Sequence, residues 1–283
     1  MKHIYIIGVG LIGGSISKDI KKLNPEITIH GIDKNDSHLE EAISLNLIDE
    51  KATFEDLYKA DLVIVSIPVD ATEILLPSIL DNVSDDALVI DSGSTKASIC
   101  KAVENHPKRR NFLATHPIAG TEFSGPKAAI EGLFENKTNI ICEVEKTAFK
   151  LHERALTIFK IMGMNIRYMN PEAHDKHIAY VSHLSHISAF MLGKTVIEKE
   201  KNERDIFDLA GSGFASTVRL AKSSPNMWTP IFKQNKTNVI ETLDEYISNL
   251  TKFKEYMEAD KFDDIFNDME NINHIKDILN GIA

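Results

Sequence analysis

The chain has 283 residues, 43% hydrophobic and 26% charged, with a formal net charge of −10. That length suits two domains better than one, and the composition is that of a water-soluble globular protein able to bury its own core. The acidic balance argues against nonspecific nucleic-acid binding, and the longest apolar stretch, Leu62 to Val69, is far short of a membrane span. The opening MKHIYIIGVG does not read as a signal peptide, because its apolar run ends at once in glycines. Cys100 and Cys142 form no CxxC pair and read as buried free thiols, which suits a reducing, cytoplasmic setting.

In chain order, Ile4 to Ile7, Ile27 to Ile32, Leu62 to Ile67, Leu88 to Ile90 and Phe112 to Ala114 are short, near-continuous apolar runs. Such runs predict strands of a parallel sheet covered on both faces. Helical patterns separate them, as at Leu11 to Leu23 and Ser37 to Leu45. The alternation continues through Asn139 to Val144, Leu151 to Met162 and Asn165 to Met169. It predicts a doubly wound α/β domain over residues 1–170. After Asn170-Pro171 strand-like runs almost vanish. Glu172 to Glu200, Thr237 to Ala259 and Phe262 to Leu279 carry helical periodicity. Residues 171–283 are therefore expected to form an all-α domain.

Gly8-Val9-Gly10-Leu11-Ile12-Gly13 is a GxGxxG between the first strand and the first helix. That context makes it a dinucleotide loop of the Rossmann type rather than a chance glycine triplet. Gly8 permits the turn, Gly10 lets the backbone approach a pyrophosphate, and Gly13 lets helix and strand pack closely. The helix start, with Leu11 and Ile12, offers free N–H groups to the phosphates. The second strand ends at Asp33, 20 residues beyond Gly13. A carboxylate there accepts from both ribose hydroxyls and repels a 2′-phosphate, which favours NAD over NADP. Ser66-Ile67-Pro68 ends another strand and is expected to line the same crevice, although a plain proline turn would read the same way.

His116 heads the segment HPIAGTE and follows the strand Phe112 to Ala114. That places an imidazole, the side chain best suited to exchange a proton near neutral pH, at the sheet's ligand-binding edge. Further on, Ser182-His183-Leu184-Ser185-His186 puts two histidines on one side of a helix. A zinc site is the rival reading. It lacks a carboxylate or thiolate at ligand spacing, so no metal is expected, while two core histidines would show the same spacing. Arg219, with Lys222 and Trp228 after it, is a fork-shaped donor suited to a carboxylate, or else a solvated surface arginine.

Taken together, Gly8 to Ser15, Asp91 to Lys96, His116 to Glu122, Ser182 to His186 and Arg219 to Trp228 resemble the prephenate dehydrogenase family over essentially the whole chain. The resemblance implies an NAD-dependent oxidative decarboxylation of prephenate to 4-hydroxyphenylpyruvate, a step toward tyrosine. It implies that His116 holds the substrate hydroxyl and takes its proton. It implies that Ser94 supports His116 and the nicotinamide end. Ser182, His186 and Arg219 would bind substrate, with Thr121, Glu122 and Trp228 shaping or gating the pocket. Ser185 stands where the family pattern would carry proline, and Ala215 to Val218 lacks charges that some relatives would carry.

The alternatives are arogenate as substrate, another two-domain hydroxy-acid dehydrogenase, and an NAD-sensing module without catalysis. The hydroxy-acid enzyme would need a catalytic lysine in its helical part. The sensing module gives no reason to keep His116, His186 and Arg219 together. The apolar helices near the C-terminus suggest a homodimer.

Overall fold

The computed structural model describes residues 1–201 and 205–280. The helical domain expected over 171–283 thus includes two short stretches, 202–204 and 281–283, outside the described residues. The chain divides into two compact units, Met1–Lys236 and Thr237–Ala283.

The first unit is built on β1 (His3–Ile7), α1 (Leu11–Leu23), β2 (Thr28–Ile32), α2 (Asp36–Ser44), the short β3 (Glu50–Lys51), β4 (Leu62–Val65), α3 (Val69–Asn82), β5 (Leu88–Asp91) and α4 (Ala97–Ala102). β6 (Phe112–Pro117), β7 (Thr138–Cys142), α5 (Phe149–Ile161) and β8 (Asn165–Met169) complete its sheet layer. The eight strands lie in the order β3-β2-β1-β4-β5-β6-β7-β8. All neighbours are parallel except β6 and β7.

The strand sequences explain why they sit inside. Leu62, Val63, Ile64 and Val65 are all fully buried, because both faces of the sheet are covered. Ile4, Ile6, Ile64 and Ile90 pack on one side with Phe134, Leu151 and Phe159. Tyr5, Ile7, Val63 and Val65 pack on the other with Leu76, Ile79, Trp228 and Ile231. The chain leaves β1 toward β2 and β3, then returns to β4 on the other side of β1. That reversal opens a crevice at the C-terminal ends of β1 and β4, where an open α/β sheet holds its ligand.

Two strand expectations shift. The fourth strand stops at Val65 rather than Ile67, because Ser66 turns across the glycine loop. The sixth runs on through Pro117, because β7 pairs with it antiparallel from Ala114↔Cys142 to Pro117↔Asn139. His116 is therefore inside a strand rather than just beyond one.

The helical part of this unit starts with α6 (Pro171–Ile178), capped by the Asn170 side chain, which accepts from the N–H groups of Glu172 and Ala173. A π-helical turn, Ala179–His183, joins it to α7 (Leu184–Glu200) without a break. The single long helix expected over Glu172 to Glu200 thus exists with one wide turn in it. Such turns are frequent at functional sites. Then come α8 (Ser212–Thr217), a short turn at Arg219–Lys222 and α9 (Pro225–Gln234).

The second unit consists of α10 (Lys236–Glu258), α11 (Phe262–Ile272) and α12 (Ile275–Asn280). The last expected helix is broken in two, with Asn273 and His274 in the gap. Asp260 adopts a left-handed conformation at the turn between α10 and α11, and Lys252 reaches Asp268 across the pair at 3.4 Å. Phe253, Phe262, Phe266, Met269 and Ile272 are each about half exposed. No helix among the described residues is long and apolar enough to cross a membrane.

Candidate active site

The glycine loop and the turn after β4 meet. Gly8 has φ of +92°, and a Cβ there would lie 2.5 Å from the Ser66 carbonyl oxygen, so only glycine fits beneath that turn. Ser66 N–H donates to the Ile7 carbonyl at 2.7 Å, and Pro68 leads directly into α3. Gly13 packs against the Gly8 carbonyl, which holds α1 close to β1. Around Gly10 the space is open, with Gly125 N the nearest atom, 4.0 Å from where a Cβ would stand. No side chain caps the start of α1, where Leu11 and Ile12 form the first turn. The N–H groups of the first turn of this 13-residue helix are thus left uncapped by side chains, the feature by which a helix start binds a phosphate. Asp33 accepts from Val9 N–H at 3.2 Å and from Asn35 N–H at 2.9 Å. Its carboxylate is thereby fixed at the edge of the loop, where a ribose would lie.

Along the same edge stand Ser94, three residues past β5, and His116 near the end of β6. The segment after β5 is pinned from below. The Lys96 ammonium is wholly buried between the Asp91 carboxylate and the Thr115 carbonyl, the latter at 2.7 Å. Asp91 also accepts from Thr115 N–H at 3.0 Å, tying β5 to β6 beside His116. Removing either partner of such a pair leaves a buried uncompensated charge, so the pair fixes the loop's conformation. Ser94 itself is half-buried and has no hydrogen-bond partner among the described residues.

His116 is 8% exposed. Its Nδ1 is 2.8 Å from His174 Nε2, and His174 Nδ1 is 2.7 Å from Asp175 Oδ1. Burial, with His174, Lys96 and His183 nearby, holds the His116 pKa well below the ordinary histidine value, so the imidazole is neutral at pH 7. Cys100 and Cys142 are buried free thiols whose pKa values burial pushes up, which leaves them inert.

The helical segment supplies the other wall. Trp228 is buried, and the His186 ring stacks on it at 3.6 Å between centroids and 28° between planes. His186 Nδ1 contacts the Ser182 carbonyl at 2.9 Å. Burial lowers the His186 pKa, and Arg219 nearby lowers it further. Arg219 donates to Glu122 at 2.9 Å, and Thr121 Oγ1 accepts from Phe123 N–H at 3.2 Å in the loop that carries Glu122. His183 is wholly buried, stands edge-on to Trp228, and has its pKa pushed down to about 4, chiefly by burial. His183 Nε2 and Trp228 Nε1 are buried without a partner among the described residues.

The residues singled out from sequence therefore fall into two groups. Gly8, Gly10, Leu11, Ile12, Gly13, Asp33 and Ser66 to Pro68 lie at the crevice of the sheet, with Ser94 and His116 along the same edge. Ser182, His186, Arg219, Glu122 and Trp228 are linked to one another by direct contacts or charge. Sequence reading missed His174 and Asp175, and it passed over Lys96 and Asp91 within their motif. Among the described residues, no group of three or more His, Cys, Asp or Glu side chains could hold a metal ion.

Comparison with known proteins agrees with this geometry. Residues 16–168 match the model described as prephenate dehydrogenase, nucleotide-binding domain, and residues 170–271 match prephenate dehydrogenase, dimerization domain. The chain belongs to the prephenate dehydrogenase family. It is 33% identical to the prephenate dehydrogenase of Bacillus subtilis over 93% of this chain and 72% of that one. It is 32% identical to the cyclohexadienyl dehydrogenase of Zymomonas mobilis, over 89% and 87% of the two chains. Among solved structures, prephenate dehydrogenase from Aquifex aeolicus, in complex with hydroxyphenyl propionate and NAD+, superposes with a TM-score of 0.88. That match has 32% identity and covers 96% of each chain.

Proposed function

We infer that this chain is an NAD-dependent dehydrogenase that oxidises and decarboxylates prephenate to 4-hydroxyphenylpyruvate. The observation that carries the reading is His116: a buried, neutral imidazole at the ligand-binding edge of the sheet, with Nδ1 engaged and Nε2 left for a substrate.

NAD, when bound, supplies the hydride acceptor for C4 of the ring. The exposed N–H groups at the start of α1 hold its phosphates, and Asp33 takes the ribose hydroxyls. Ser66, Ile67 and Pro68 line the same crevice. His116 Nε2 accepts the C4 hydroxyl proton as that carbon becomes a carbonyl. Loss of carbon dioxide from C1 then yields the phenol, and aromatisation makes the step irreversible. The protein's work is to orient the ring, take the proton and exclude water. Ser94 supports His116 and the nicotinamide end. Ser182, His186 and Arg219 bind the substrate's polar groups, while Thr121, Glu122 and Trp228 shape the pocket.

The division of labour falls near residue 170, with cofactor binding in 1–170 and substrate binding and dimerisation in 171–283. The match to the nucleotide-binding model ends at residue 168 and that to the dimerization model begins at 170, which supports this division. The cytoplasm is the compartment that suits buried free thiols and a nicotinamide-dependent biosynthetic step. Turnover of purified protein with NAD and prephenate, followed as NADH absorbance and product, tests the assignment. Running arogenate alongside decides between a keto and an amino side chain. Failure with both substrates overturns the reading.

The cofactor preference has its own test. Asp33→Ala should weaken NAD binding far more than NADP binding, because only NAD uses both ribose hydroxyls at that carboxylate. Wild-type turnover with NADP equal to that with NAD would overturn it. The half-exposed apolar residues of α10 to α12 support a homodimer. Light scattering at micromolar concentration should give about twice the 31.7 kDa chain mass, and a monomer would remove the dimer while leaving the chemistry untouched.

A further inference from the structure

We propose that Asp175 and His174 form a relay behind His116 that fixes which of its nitrogens carries the proton. The inference deepens the reading of His116 as the proton acceptor and rests on it for its chemical meaning.

The chain of donors and acceptors starts at Asp175. Its carboxylate accepts from Lys96 N–H at 2.7 Å and from Ala97 N–H at 2.9 Å, and so caps the start of α4 from a different helix. Its backbone carbonyl accepts from the Asn235 side-chain amide at 2.6 Å. Side chain and main chain are both held, and the residue is 4% exposed. A carboxylate in this setting only accepts. The third group on it, His174 Nδ1 at 2.7 Å, must therefore donate. A neutral imidazole that donates from Nδ1 has its lone pair on Nε2. His174 Nε2 is 2.8 Å from His116 Nδ1, so His116 donates from Nδ1. By the same rule the His116 lone pair is then on Nε2, the nitrogen assigned to the substrate hydroxyl.

The alternative tautomer would place N–H at Nε2 and make His116 useless as a base until its ring reorganised. The two rings meet edge to face, at 74° between planes and 5.0 Å between centroids. His174 is 1% exposed, so water does not compete for its lone pair. The relay also steadies the product of proton transfer. Once His116 is protonated at Nε2, its Nδ1–H still donates to His174, and the positive charge is met through His174 by the Asp175 carboxylate. No atom is gained or lost in the relay: the substrate hydroxyl O–H bond breaks, a bond to His116 Nε2 forms, and the Nδ1 protons stay where they are. His174 and Asp175 touch neither substrate nor cofactor in this scheme. They are positioning residues.

The test reads the tautomer directly. In protein labelled with 15N in the histidine rings, at pH 7.5, His116 should show a protonated Nδ1 and a bare Nε2. Its signals are identified by their loss in His116→Asn. In His174→Leu the hydrogen-bond acceptor is gone, so the His116 signals should shift to the other tautomer or to a mixture. That variant should lose about 100-fold in kcat, as expected for a base held in the wrong tautomer. NAD affinity and the KM for prephenate should change by less than about 3-fold. His174→Gln, whose amide oxygen can still accept from His116 Nδ1, should recover at least about 10-fold of the loss. A wild-type His116 protonated at Nε2 overturns the proposal, and so does a His174→Leu variant with unchanged tautomer and kcat. If His174→Leu fails to bind NAD, the wild-type tautomer alone decides. A protein with the expected tautomer that does not turn over prephenate would sink the functional reading and leave the relay standing.

Discussion

His116→Asn should lower kcat by about 10²- to 10⁴-fold, the range typical for loss of a general base. Asparagine keeps a hydrogen-bonding group in the strand but cannot take a proton at pH 7. The substitution leaves the glycine loop and Asp33 untouched, so NAD affinity should hold. The pH profile of kcat/KM, which reports the free protein, carries the sharper signature. A base works only when neutral, and its neutral fraction falls as pH drops through its own pKa. Burial, with His174, Lys96 and His183 facing it, sets that pKa well below 6.5. Behind them stand Asp175 on His174 and Asp91 on Lys96, each compensating its neighbour. The wild-type profile should therefore stay flat from pH 7.5 down past 6.5 and fall only at lower pH. The acid limb should be absent in His116→Asn. A variant with most of its activity and the same acid limb would make His116 structural, and His186 would become the next candidate.

The parts of this site legible in the sequence are those where one residue type has one physical reason to be there. Gly8 is required because the turn at Ser66 passes over it at a positive φ. Asp33 announces itself because it ends the strand after the glycine loop. His116 was legible from its place after a strand, although the strand proved longer, since antiparallel pairing with β7 cannot be read from Phe112 to Ala114 alone. What was not legible depends on which helices cover which strands. His174 and Asp175 follow a helix start at Asn170-Pro171 and look like a solvated polar face. Only the packing of α6 against the start of α4 buries them. Lys96 reads as a surface lysine until the sheet encloses it with Asp91. The break between α11 and α12 was missed because Ile272, Ile275 and Ile278 keep the helical period across it.

Arg219→Ala should raise the KM for prephenate by about 10- to 100-fold, the equivalent of losing one contact between an ionised pair at about 1.5–3 kcal/mol. The structure sets the size of the effect. The Arg219 side chain is 52% exposed, so its field is partly screened and the loss stays below that of a fully buried clamp. Glu122, much less exposed, holds the guanidinium in place at 2.9 Å. Four more N–H donors of the fork remain to meet a substrate carboxylate. Because the contact lies beside His186 and Trp228 rather than at the glycine loop, NAD affinity should not move, and kcat should change by less than about 3-fold. Arg219→Lys should recover only part of the loss, since a point charge cannot hold Glu122 and a carboxylate in one plane. Salt supplies an independent check. The wild-type KM should rise between 0.05 and 0.5 M salt, about the range over which screening shortens to a few ångströms, and the slope should flatten in Arg219→Ala. A normal KM in Arg219→Ala would leave the Arg219–Glu122 pair as a surface contact. The exposed Lys222, whose charge also reaches Glu122, would then be the cation to replace.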